Sequence, residues 1–441
     1  MSIRDLSLAI IIAISLPVSL LRPWVGILVW SWLGYMNPHR LTWGFTRDWP
    51  FAQVVAIVTL GGLLFTKERA PLPRTRETWL LFLLWAIFLF SSFFAVYPDA
   101  AWEQFTKVSK ILLMTFVTII LFHDPTKIRV LLYVIALSIG FFGLKGGIWS
   151  LLTGGQYMVL GPPESFIAGN TEIGLALNMV LPVLFFLRRD ETRQWLRHLL
   201  LVVFLFSIIA VLITYSRGAL LGLMAVLVIL FLQSRAKVFL VPMLIAGLLL
   251  APYALPEKWF GRMETIQTYE EDRSAQGRIV AWKLSYRMAL DRPILGFGFQ
   301  PFTPEVYYHY MPEIEYTYEA ARSADAHNIF FQVLAEHGFT GLAVYLCLIL
   351  STLGSLRGTI RATRNDPSAA QIHHYAQMLE AGLAAYLVNG FFLSRSYFDL
   401  FYHFVAIAIL LKSLGNVRES ELADRSDPTL AGPGVMRDPA G

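Results

Sequence analysis

One imidazole and two guanidinium groups stand where polar sequence meets apolar sequence, and they are the residues of this chain best suited to chemistry. Ala326-His327-Asn328 closes a polar stretch from Leu255 to Asp325, and after nine further residues comes Gly338-Phe339-Thr340-Gly341. An imidazole near its ordinary pKa of about 6.5 can accept a proton at neutral pH. Placed where the chain re-enters lipid, it is within reach of both a lipid carrier and a soluble hydroxyl. Arg217, in Thr214-Tyr215-Ser216-Arg217-Gly218, lies in a hairpin too short to hold it far from the membrane. Such an arginine can simply snorkel to the interface, yet a guanidinium fork fixed there also matches phosphate or carboxylate. Arg278 stands in Gly277-Arg278-x-x-x-Trp282, where it either binds an anion or decorates a helix.

Other polar residues have weaker claims. His337 is a rival imidazole, but a helix starting at Asn328 turns it about 80° away from His327. Arg273 and Arg322 flank the motifs and read first as solvated loop charges that could also hold phosphate or glycan. Arg395, in Ser394-Arg395-Ser396, is a second hairpin arginine and reads first as snorkelling. Tyr307, Tyr308, Tyr310, Tyr316 and Tyr318 could stack on sugar rings or form an interfacial belt. Asn170 and Glu172 read as helix capping.

The elements that position these groups are transmembrane helices. The 441 residues are 56% apolar and 15% charged, with a mean hydropathy of +0.55. This is far from the balance of a soluble domain and identifies an integral membrane protein. Apolar runs recur almost end to end without the alternation of a barrel, so helices are the spanning element. The fold class is therefore all-α and polytopic. The single cysteine, Cys347, excludes an intrachain disulfide. Leu6 to Leu21 lacks a signal-peptide cleavage site and reads as part of an uncleaved first span.

The positive-inside rule orders the spans. Basic loops at Lys67 to Arg76, Lys127 to Arg129, Arg188 to Arg197, Arg235 to Lys237 and Arg357 to Arg364, with the tail from Lys412, are expected on the cytoplasmic side. Loops at Tyr97 to Glu103, Thr153 to Asn170, Tyr215 to Arg217, Leu255 to Asp325 and Ser394 to Phe398 are expected on the other. With Leu6 to Tyr35 as one span broken near Arg22-Pro23, this gives about twelve spans and two cytoplasmic termini. If Leu6 to Leu21 and Trp24 to Tyr35 cross separately, there are thirteen and the N-terminus lies outside. The expected organisation is an N-terminal helical part over 1–254, a periplasmic loop over 255–326, C-terminal helices over 327–414 and a disordered cytoplasmic tail over 415–441. One expected span, 237–254, directly precedes the loop.

The loop carries eight basic and eleven acidic residues. Gly277 to Arg292 reads as an amphipathic helix able to lie on a membrane, with Ile279, Trp282, Tyr286 and Leu290 near one face. Pro293-Ile294-Leu295-Gly296-Phe297-Gly298 follows, and its two glycines permit a tight turn.

Taken together, Ser216-Arg217-Gly218, Gly277-Arg278-x-x-x-Trp282, Pro293-x-x-Gly296-x-Gly298 and His327-Asn328-x9-Gly338-x-x-Gly341 resemble the O-antigen ligase superfamily. That superfamily comprises lipopolysaccharide O-antigen ligases, O-antigen polymerases and protein O-glycosylation ligases. The resemblance covers roughly residues 165 to 400 and is most specific at the histidine motif. The Trp-rich N-terminal stretch with Asn37-Pro38-His39-Arg40 looks more like the O-glycosylation ligase branch.

The resemblance implies an inverting inner-membrane glycosyltransferase of the polytopic GT-C type, independent of metal, nucleotide and cofactor. Its partners would be an undecaprenyl-diphosphate-linked glycan and a lipid A-core hydroxyl on the periplasmic face. It implies that Arg217 and Arg278 bind the diphosphate and that His327 is the general base. The chemistry agrees, because a diphosphate leaving group calls for fixed cations and a sugar hydroxyl calls for a base. A polymerase or protein ligase would use the same chemistry. A lipid-linked glycan transporter would instead place charges near the midplane, where most of these spans have none.

Overall fold

The computed structural model describes residues 3–233, 256–264, 273–313 and 325–426, and every regular element among them is helical. The first half comprises α1 (Ile3–Leu21), α2 (Pro23–Met36), α3 (Phe51–Phe65), α4 (Arg76–Phe93), α5 (Pro98–Leu121), α6 (Pro125–Leu152), α7 (Asn170–Asp190), α8 (Gln194–Leu212) and α9 (Arg217–Gln233). Three shorter pieces follow: α10 (Glu257–Glu264), α11 (Arg273–Asp291) and α12 (Pro304–Tyr310). The bundle closes with α13 (Ile329–Thr363), α14 (Ala370–Gly390) and α15 (Asp399–Ser426). Among the described residues seven helices are long and apolar enough to cross a bilayer, and α3 and α9 are shorter apolar helices. The expected span 237–254 lies outside the described residues.

α7 is the axis of the bundle, with every residue from Ile173 to Leu184 buried. It packs on α6, α8, α9 and α14. Asn178 fastens this centre: its Nδ2 donates to the Ala219 carbonyl at 2.8 Å and to Asn389 Oδ1 at 3.3 Å. Gly222 leaves the space that Asn389 fills. Interhelical amide bonds and small residues are how helices associate where burial from water supplies no drive.

The N-terminal region departs from the single broken span expected from Leu6 to Tyr35. α1 and α2 form an antiparallel hairpin turned at Arg22, with Pro23 at the first position of α2. Arg4 near the start of α1 donates to the Leu41 carbonyl beyond the end of α2 at 3.4 Å. Thr46 donates to the buried Asp5, and Ser19 packs against Gly26 at the turn. Collinear helices would hold Arg4 and Leu41 apart by the length of both, at about 1.5 Å per residue. The proline lacks an amide to continue α1, and its fixed φ suits the start of a new helix.

This hairpin also corrects the expectation of twelve spans with both ends of the chain on one side. α1 begins at the end of the bundle where α11 and α12 lie. α15 runs from Asp399, beside Gly34 at that same end, to Lys412, paired with Glu77 at 3.3 Å at the opposite end. The stretch from Gly415, expected to be disordered, continues α15 to Ser426. Glu, Leu, Ala and Arg in that stretch favour helix.

Among the described residues, the loops expected on the cytoplasmic side gather at that opposite, basic end, whereas Arg235 to Lys237 lies outside them. Lys127 pairs with Glu68 at 2.8 Å, Arg129 with Glu191 at 3.1 Å and Arg357 with Glu380 at 2.8 Å.

Candidate functional site

The site is built where two glycine motifs dock by main chain. α13 is interrupted at Gly338, whose φ of 67° and ψ of −169° break the helical ladder. The carbonyls freed upstream are taken by the turn 293–298: Phe297 N donates to Ala335 O at 3.0 Å and Gly298 N to Glu336 O at 2.9 Å. In return Phe339 N donates to Pro293 O at 2.8 Å. Irregular backbone among membrane helices is tolerated when protein satisfies its polar groups in this way. The contact is too close for side chains: a Cβ on Gly296 would lie 2.6 Å from the Glu336 carbonyl carbon, and one on Gly338 2.5 Å from Pro293 O. Gly341 has a different task, since a Cβ there would lie 2.3 Å from that of His337.

α11 seats on the same helix. The helix expected over Gly277 to Arg292 spans Arg273–Asp291, and its packed face differs from the one expected. Leu284 and Met288 are buried with Phe297, Val306 and Tyr307, whereas Tyr286 and Leu290 are exposed. Trp282 stacks on Phe331 at 5.5 Å with the rings 6° apart and meets Phe391 edge-on. The tryptophan therefore fixes α11 against the first turn of α13, and Arg278, one turn earlier, is carried beside His327.

His327 precedes that first turn with a left-handed φ of 47°. Asn328 is the cap: its Oδ1 accepts from Phe330 N at 2.8 Å and Phe331 N at 3.2 Å, and its Nδ2 donates to Phe391 O at 3.1 Å. The cap fixes Asn328, and the residue before it is held in a strained left-handed conformation. Burial holds the His327 imidazole below the usual histidine range. Asp325 opposes that shift, Arg278 adds to it, and Glu172 opposes it. Two charged residues from distant chain segments, and a third two positions before it, thus lie close enough for the imidazole to sense.

Glu172 is more than a cap. Its carboxylate accepts from Arg395 Nη2 at 2.9 Å, while Arg395 Nε donates to Phe166 O at 3.2 Å and Nη1 to Ser394 O at 3.1 Å. Arg395 is therefore held inward and does not snorkel. Arg217 opens α9 beside the same carboxylate-bearing helix end. Ser216 Oγ accepts from Ala219 N at 3.2 Å and donates to Thr171 at 3.1 Å, and Asn170 Nδ2 donates to Thr214 O at 2.9 Å. Tyr215, with φ of 55°, donates to Gly155 O at 2.6 Å. Strained residues thus precede both Ser216-Arg217 and Asn328 at this end of the bundle.

Between these elements lies a cavity of about 600 Å³. Arg395 lines it directly, as does Asp325, two residues before His327. Its wall includes Lys107, Gln300, Gln332 and Glu336, with Tyr397. Glu336 is the residue that sequence reasoning missed. It is 2% exposed, its Oε1 accepts from Gln300 N at 3.2 Å, and its Oε2 accepts from the Tyr397 hydroxyl. Gln300 also has a left-handed φ, of 53°. A carboxylate two residues before Gly338, at the edge of an apolar run, was the available signal.

His337 is enclosed. Nε2 is hydrogen-bonded to Tyr397 Oη at 2.8 Å and Nδ1 to Ser91 Oγ at 2.7 Å, with Phe88 and Phe299 on its ring at 4.4 and 4.6 Å. Both ring nitrogens are occupied and the residue is fully buried, so it supports the helix break and does not face the cavity. The side chain of Arg273 and the whole of Arg322, Tyr316 and Tyr318 lie outside the described residues. Tyr307 is buried, and Tyr310 donates to Asp291 at 2.7 Å. Tyr308 is exposed. Arg40, of the Asn37-Pro38-His39-Arg40 stretch, reaches the cavity wall by pairing with Glu164 at 2.5 Å.

Residues 202–346 match the family described as O-antigen ligase. Residues 3–192 match a family of unknown function (DUF5935). No curated protein matches the chain.

Proposed function

We propose, from the premise that residues 202–346 place this chain in the O-antigen ligase superfamily, that it transfers a preassembled glycan from undecaprenyl diphosphate to a lipid A-core hydroxyl. The reaction takes place at the loop end of a GT-C-like bundle, on the periplasmic face of the bacterial inner membrane. The observation that carries this reading is the surroundings of His327, a left-handed imidazole kept neutral by burial with Arg278 close by.

In this mechanism His327 accepts the proton of the acceptor hydroxyl as its oxygen attacks the anomeric carbon from the face opposite the diphosphate. The bond from that carbon to the diphosphate oxygen breaks, the electron pair leaves with the phosphate, and configuration inverts. Arg217 and Arg278 bind the phosphate oxygens, where developing charge makes fixed guanidinium groups most effective. Neither metal nor ATP takes part. Asp325 and Glu172 stabilise the imidazolium that forms. Glu336, Gln300 and Gln332 suit the hydroxyls of an acceptor sugar, because carboxylate and amide oxygens accept hydroxyl hydrogens.

The test combines purified protein, undecaprenyl-diphosphate glycan and lipid A-core in the presence of a chelator. Wild type forms the ligated product, and His327→Ala lowers the rate by about 100-fold or more. Unchanged transfer by that variant would overturn the assignment of the base. Elongation of glycan on the carrier lipid, with no core modified, identifies a polymerase. Transfer to protein alone identifies an O-glycosylation ligase, and movement of the lipid-linked glycan without a new bond identifies a transporter.

A further inference from the structure

At the basic end, far from His327, the start of α4, the second half of α13, the segment from Asp366 into α14 and the middle of α15 enclose a cavity of about 1090 Å³. Its inner wall is a closed polar set. Glu77, 1% exposed, accepts from Ser351 at 2.6 Å and Ser355 at 2.5 Å and pairs with Lys412 at 3.3 Å. Lys412 also donates to Ser355 at 3.1 Å. This set uses up the buried carboxylate, so the other cations lining the cavity are not offset by it. Those cations are Arg74 and Arg76, both exposed at the mouth. Among the described residues neither forms an ion pair with a carboxylate.

The rest of the wall combines Thr75, Thr359, Thr363 and Asp366 with an apolar strip on α13. Cys347, Leu350, Gly354 and Gly358 succeed one another along α13 on the cavity side, and Leu350 is 66% exposed. A Cβ added to Gly354 or Gly358 would meet nothing within 4 Å. The helix therefore carries an open track leading from the two exposed guanidinium groups towards the bundle midplane.

We infer that this cavity seats an anionic glycerophospholipid, its phosphate between Arg74 and Arg76 and one acyl chain along the Gly354–Gly358 track. A cationic mouth with an apolar track matches an amphiphile, and basic pockets between membrane helices are suited to anionic headgroups. A soluble phosphate would leave the track empty. A packed helix of another protein would fill the track and leave the arginines without anions. The seat is independent of the glycosyltransferase reading, yet α4 and α13 also carry Ser91 and Glu336 at the other end, so an occupying lipid braces the two helices that hold the site.

The experiment is native mass spectrometry on the delipidated full chain titrated with phosphatidylglycerol, phosphatidylcholine or inorganic phosphate. Wild type retains phosphatidylglycerol and neither of the others. The double variant Arg74→Gln, Arg76→Gln weakens retention by about tenfold. Gly354→Leu, which fills the track and leaves the arginines in place, also weakens it. Phosphatidylglycerol retained equally by wild type and the double variant would overturn the inference. So would displacement by inorganic phosphate, or a dimer lost in Gly354→Leu while lipid retention is unchanged.

Discussion

The individual residues of the site act through what holds them. His327, the base in the proposed mechanism, is held by a left-handed backbone, by an asparagine cap that it does not itself supply, and by burial that disfavours its charged form. A group whose pKa is lowered stays neutral to a lower pH, so transfer is full above that pKa and falls as pH drops through it. The acid limb of kcat/KM against pH is therefore expected below the ordinary histidine value of 6.5. A limb above that value would show that another group is the base. Glu336 gives a second prediction at this scale. Glu336→Gln turns one acceptor oxygen into a donor facing either the Tyr397 hydroxyl or the Gln300 amide. The expected result is an acceptor KM raised about tenfold or more, with the donor KM unchanged. Equal changes in both would make Glu336 a structural residue alone.

At the scale of elements, the site depends on a helix broken at one position and mended by another segment's main chain. Gly338→Ala forces a Cβ into a left-handed residue and against Pro293 O. It is expected to cost about 1–3 kcal/mol and to lower the unfolding temperature in detergent. An unshifted temperature would mean that the 293–298 turn is not held as described. Much of this was legible in the sequence, in that the two glycine motifs, the arginine motifs and the helix over Gly277 to Arg292 could all be picked out. That the glycine motifs bind each other was not, because hydrogen bonds between segments about forty residues apart leave no periodicity in either. Nor was the packed face of α11, since its apolar residues fit two faces and only the neighbouring helices decide between them.

For the whole molecule, the consequential finding is the α1–α2 hairpin, which puts the two described ends of the chain at opposite ends of the bundle. In a Cys347→Ala background, Ser7→Cys and Tyr308→Cys are expected to react with a membrane-impermeant maleimide from the same side. Asn365→Cys should react from the other. Labelling of Ser7→Cys together with Asn365→Cys would restore the single broken span. Charge counting placed the basic loops together but could not decide this case, because the turn at Arg22 carries too little charge to mark a side. Composition and hydropathy by themselves determined a helical membrane protein, because the bilayer permits so few spanning structures. Residue spacing determined which histidine and arginines to watch. Only the tertiary structure decided that Arg278 and Glu172 lie near His327, that His337 is enclosed, and that Glu336 lines the cavity. Such proximities arise from packing between distant helices, which a linear order of residues does not encode.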